Sequence, residues 1–123
     1  MKKILLLCLL IIFTGSILVW RAVAKPVRFG TFSAVPRAQV SNLIANPKAF
    51  LDKTVDIQGT ISQQCKSMGC YFFFRSGKEA LRVDIQEVAM TAPLREGRTA
   101  RVEGQIVPYA GGYQFSASAV EFQ

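Results

Sequence analysis

No histidine occurs among the 123 residues. That absence removes His-dependent triads, imidazole metal ligands and histidine proton shuttles in one step. Cysteine is scarce, at three residues, and acids are few, eight against fifteen Lys and Arg. The acids are scattered, with no pair spaced for two-carboxylate chemistry, and Ser62, Ser67 and Ser76 have no base to activate them. Gly111-Gly112 lacks the strand-then-helix setting of a phosphate-cradling loop. The expectation is a protein that is not an enzyme and carries no cofactor.

What is present begins with an export signal. Lys2 and Lys3 precede an uninterrupted apolar run at residues 4–13, and Ala22-Val23-Ala24 is the small-x-small pattern that a signal peptidase reads. Residues 1–24 therefore read as a signal peptide. The competing reading is an uncleaved inner-membrane anchor facing the periplasm. Residues 4–20 are about 25 Å long as a helix, at the short end of what spans a bilayer. Both readings put the remainder in the periplasm. Cys8 has no small residues just before it and does not resemble a lipoprotein cysteine.

Without residues 1–24 the chain keeps 12 Lys and Arg against 8 acids, a net charge of +4. That modest charge on an exported domain argues against nucleic acid as a partner and leaves a periplasmic protein or small ligand. A membrane contact would come only through residues 4–20, if uncleaved.

Residues 25–35 have no period and read as a linker before a domain over residues 36–123. Pro36 suits a first helical position, and Val40, Leu43 and Ile44 share one helical face, which predicts a helix over residues 36–45. Asn46-Pro47 ends it. The period then changes to two. Val55, Ile57, Gly59 and Ile61 alternate with Asp56, Gln58, Thr60 and Ser62, and Gly59 is expected to mark a bulge or sharp coil.

Residues 71–74, apolar on both faces, form a second strand, and Leu81, Val83 and Ile85 alternate in a third. Residues 98–107 and 113–122 supply the fourth and fifth, with Phe115, Ala117 and Ala119 expected on one face of the last. Five short strands separated by turns predict a mainly β protein, a five-stranded OB-fold-type barrel with one N-terminal helix.

The series VSNLIANPKAFLDK, VDIQGTI, a cysteine pair ending in GCYFFF, LRV and EGRTARVEGQI resembles a family of exported bacterial OB-fold domains of uncharacterised function. A Gly-Cys-aromatic element follows the first strand in that family. The likeness covers residues 40–106 and is most specific over residues 65–73. Where those domains carry tryptophan after the second cysteine, this chain has Tyr71. The resemblance implies the fold and brings no activity with it.

Three groups of residues are candidates for function. Cys65 and Cys70, an even pair in an oxidising compartment, are expected to form a disulfide across the first hairpin. With Met68 they also make a set of soft sulfur ligands suited to Cu(I), and a stable disulfide and a thiolate metal site exclude each other. Tyr109 and Tyr113, flanking the Gly111-Gly112 loop, are candidate ligand contacts, and so are Arg75 and Arg82 near the second hairpin. The ring run at residues 71–74 reads mainly as core, although OB-folds also use such rings to stack on ligands. The function read from these features is a non-enzymatic periplasmic binding or accessory module. The alternative is a metal- or thiol-handling accessory protein.

Overall fold

The computed structural model describes residues 2–6, 8, 25–67, 70–89 and 91–123. The expected cleavage site, most of the apolar run before it, and Met68 lie outside the described residues. Among the described residues no helix is long and apolar enough to cross a membrane.

The elements are β1 (Val27–Gly30), α1 (Val40–Ala45), a 3-10 turn (Pro47–Phe50), β2 (Thr54–Gln64), β3 (Tyr71–Ser76), β4 (Glu79–Asp84), β5 (Thr99–Tyr109) and β6 (Gly112–Phe122). Neighbours run β1-β6-β4-β3-β2-β5, and β5 also pairs with β6, which closes β2 to β6 into a five-stranded barrel. Every pairing is antiparallel except β4 with β6. This is the expected OB-type barrel with one strand added.

The added strand, β1, falls within residues 25–35, read above as a linker. β4 reaches β6 only at Phe115 and Ser116, which would leave the second half of β6 with an open edge. β1 covers it, pairing Val27 with Phe122 and Gly30 with Ala119.

The helix is shorter than expected. Pro36 O accepts from Asp56 N–H and Ala38 N–H donates to Asp56 O, both at 3.0 Å, so this segment runs extended beside β2 and helical geometry begins only after Gln39. Leu43, fully buried, then joins the hydrophobic core of the barrel.

Two bulges decide which residues face inward. In β2 the register shifts between Ile61 and Gln63, not at Gly59. Gly59 instead makes room for a neighbour, since a Cβ there would lie 2.8 Å from the Phe74 ring. In β6 the shift falls between the Glu103–Ala119 and Gly104–Ala117 pairs, which leaves Ser118 as the extra residue. Phe115 and Ala117 therefore face the core before it, while Val120 and Phe122 do so after it. Ala119, expected with the first two, is buried outside the core cluster. The core interlocks Phe72, Phe74 and Phe122, with ring centroids 5.1 and 5.8 Å apart in edge-on pairs.

Candidate functional site

The ring run of β3 divides by strand parity. Phe72 and Phe74 are buried in the barrel, and Tyr71 and Phe73 lie half-buried on the outside. On β4, Asp84 is paired with Tyr71 and Arg82 with Phe73, so all four share one outer face. Gln114 of β6 joins them, and so does Tyr109 from the end of β5.

Arg82 is the centre of this group. Its guanidinium lies over the Tyr71 ring at 4.3 Å and over the Tyr109 ring at 4.4 Å. Both rings lie against the guanidinium at cation–π distance. Its Nη1 donates to Gln114 Oε1, and Gln114 Nε2 donates to Asp84 Oδ2 at 3.3 Å. Gln114 is buried, whereas Tyr109 is 44% exposed and forms the outer wall.

Of the residues expected to contact a ligand, Arg82 and Tyr109 are brought together. Arg75, paired with Ala80, is exposed on the same face, two residues along the strand from Phe73. Tyr113 is separated from them. The turn is Ala110-Gly111, with φ of 48° and 77°, so Tyr109 pairs with Gly112 and Tyr113 turns inward against the core. Tyr71 and Gln114 belong to the site although neither was singled out as a ligand contact. Alternation along β3 was the available signal for Tyr71, and nothing in the sequence pointed to Gln114.

Cys65 and Cys70 stand at the foot of this face, at the end of the β2–β3 hairpin. Cys65 N–H donates to Tyr71 O and Ile85 N–H donates to Cys70 O, both at 3.0 Å. Their Sγ atoms are 3.7 Å apart, with the Cys70 thiol directed at the Cys65 sulfur. A disulfide needs about 2.05 Å. The two sulfurs are therefore not at bonding distance in this structure. Sequence spacing brings two cysteines near each other but does not set their oxidation state. Burial pushes the Cys70 thiol above its ordinary pKa, and the hydrogen bond and charge of Cys65 add to this, against a smaller opposing effect of Arg82. Among the described residues no three His, Cys, Asp or Glu side chains converge on a metal position.

Gln64, also not singled out from the sequence, turns inward after the β2 bulge and orders the β4–β5 connection. Its amide donates to Pro93 O at 2.7 Å and accepts from Arg95 N–H at 2.8 Å. Open grooves among the described residues also lie elsewhere. One of about 450 Å³ runs along Thr54, Gln105, Ser116 and Glu87, and another, of about 560 Å³, lies beside α1 at Arg37, Asn42 and Gln58. Neither has the stacked charge of the β3–β4 face.

No protein-family model matches the chain, and no curated protein does. Among solved structures, the hypothetical protein ygiW from E. coli overlies 76% of this chain and 99% of its own length, at 15% identity and a TM-score of 0.49. A putative aspartyl-tRNA synthetase from Leishmania major Friedlin overlies 80% of this chain, at 16% identity and a TM-score of 0.50. This chain spans only 22% of that protein. The likeness to the latter is one of fold.

Proposed function

We propose that the protein is a non-enzymatic binding or accessory module that works outside the cytoplasm, with its ligand on the outer face of β3 and β4. OB-folds bind ligands on their second and third strands and on the loops after the first and fourth. With β1 discounted as the added strand, these are β3, β4, the Cys65–Cys70 loop and the Tyr109–Gly112 turn. The observation that carries the reading is the contact of Arg82 with both Tyr71 and Tyr109, which joins three separate strands at that face. The export reading rests on Lys2, Lys3, the apolar run and Ala22-Val23-Ala24.

The test is titration of isotope-labelled protein with fractionated periplasmic extract, followed by backbone amide shifts. Shifts centred on Tyr71, Arg82, Tyr109 and Gln114, lost in Tyr109→Ala, are expected. Shifts centred on either open groove would reject the face.

A second reading concerns the sulfur pair. Two thiolates on one tetrahedral metal ion, with metal–sulfur bonds of about 2.3 Å, stand about 3.8 Å apart. The observed 3.7 Å suits that arrangement, and a small side-chain rotation would instead close the disulfide. Thiol titration of protein taken from the periplasm separates the two. No titratable thiol outside the signal segment means the disulfide, and two thiols with co-purifying copper mean the metal site.

A further inference from the structure

We propose that the β3–β4 face selects an oxyanion, a carboxylate or phosphoryl group carried beside an apolar or planar body. This rests on the reading of that face as the ligand surface and adds the chemistry of what it takes. A guanidinium offers two faces and an edge. Two protein rings already lie against Arg82, Tyr71 at 4.3 Å and Tyr109 at 4.4 Å, so its stacking contacts are supplied from within the molecule.

What Arg82 offers a ligand beyond these rings is its in-plane N–H edge. Its Nη1 already donates to Gln114, which holds the plane of the group fixed. A ligand that engages Arg82 must therefore bring acceptors into that plane, and the planar fork of donors matches the two oxygens of a carboxylate or phosphoryl group.

The surrounding charge favours the same class. Arg75 is exposed on the same outer face, and exposed Lys78 and Lys66 occupy the two adjacent hairpin turns. The acid of this face, Asp84, accepts from Gln114 and from Gln86 N–H at the Tyr71 end of β3, away from Arg75 at the other end of that strand. Phe73, half-buried and paired directly with Arg82, supplies the apolar floor beside the anion. Acceptors in the guanidinium plane and a flat body on Phe73 form a two-point site.

The experiment uses phenyl phosphate, benzoate and benzyl alcohol, which share a ring and differ in the group attached to it. Each is titrated into the protein at low salt while the Arg82 side-chain Nε–H signal is followed. Phenyl phosphate or benzoate should saturate and shift that signal, and the tighter of the two identifies the phosphoryl or carboxyl source. Benzyl alcohol should bind at least about tenfold more weakly, because it lacks the charge and the second oxygen. Arg82→Gln should weaken the anions by about tenfold or more, and Arg82→Lys by nearly as much, since lysine keeps the charge but loses the fork. Lys48→Gln, in the 3-10 turn, should leave binding unchanged.

Anion binding by Arg82→Gln equal to that of the unaltered chain would overturn the proposal. So would benzyl alcohol binding as tightly as phenyl phosphate with shifts at Tyr71 and Tyr109, a result that ends the anion while keeping the face. Absence of binding by all three compounds ends both.

Discussion

Asp56 and Glu103 lie directly opposite each other across β2 and β5, two carboxylates only 4% and 3% exposed. Like charges in that position repel. Each is answered from a different direction. Arg101 donates through Nε and Nη2 to Asp56 Oδ2 at 2.8 and 2.6 Å, and Ser33 donates its N–H and hydroxyl to Glu103 at 2.8 and 3.0 Å. Phe32 then closes over Arg101 at 4.4 Å from its ring centroid. The N-terminal segment is thus held to the barrel by the opposed acids as well as by β1.

Removing Arg101 leaves Asp56 buried without its cation. Arg101→Met should destabilise the fold, by less than for a fully buried pair because the Arg101 side chain is 30% exposed. Asp56→Asn combined with Arg101→Met should recover part of that loss. Urea midpoints of the single and double variants check both statements, and strict additivity would mean that the two side chains are not coupled.

Gly104 marks the β6 bulge from the opposite strand. A Cβ there would lie 2.1 Å from Ser116 O, a backbone atom with no room to retreat. Gly104→Ala should therefore cost about 3 kcal/mol or more. At Gly59 the obstacle is a ring, so Gly59→Ala should cost less, about 1–3 kcal/mol. Thermal unfolding of the two variants would reverse this reading if Gly59→Ala were the more damaging.

Ala110 holds φ of 48° in the β5–β6 turn, a conformation that a Cβ disfavours. Ala110→Gly relieves this and adds some chain entropy to the unfolded state, for a net gain of about 0.5 kcal/mol. The midpoint should rise by about 2–4 °C for a domain of this size. An unchanged or lower midpoint would mean that the turn tolerates alanine at no cost.

The thiol of Cys70 is held above its ordinary value of 9.0, chiefly by burial. A group whose folded pKa is raised contributes stability that is fully present below the unfolded pKa and lost as pH rises through the folded one. Reduced protein should therefore lose stability as pH rises past 9, and Cys70→Ser should lose less over the same interval. Urea midpoints from pH 7 to pH 10 test this. Parallel curves for the two proteins would remove the effect.

Four of the barrel strands were legible because each carries a period of two, the strand at residues 71–74 because it is a short apolar run, and the turns because glycine and proline punctuate them. β1 was not legible. Four residues, VRFG, have no pattern of their own and become a strand only because the far end of β6 leaves an edge to cover. The shortened helix has a similar cause, since Pro36 and Ala38 find partners on Asp56 that compete with helical hydrogen bonding. For the site, Arg82 and Tyr109 were visible as a basic residue and a ring near turns. Their contact was not, because it depends on the closure that brings the end of β5 against β3 and β4.

Alternation, punctuation and the lack of histidine were enough to determine a small β barrel with no imidazole chemistry. Which residues face outward together was a tertiary decision. A single extra residue in a strand reverses every side chain after it, and a two-residue turn placed at Ala110-Gly111 sends Tyr109 outward and Tyr113 inward. Those shifts depend on how neighbouring strands fit, and the chain read residue by residue does not contain that fit.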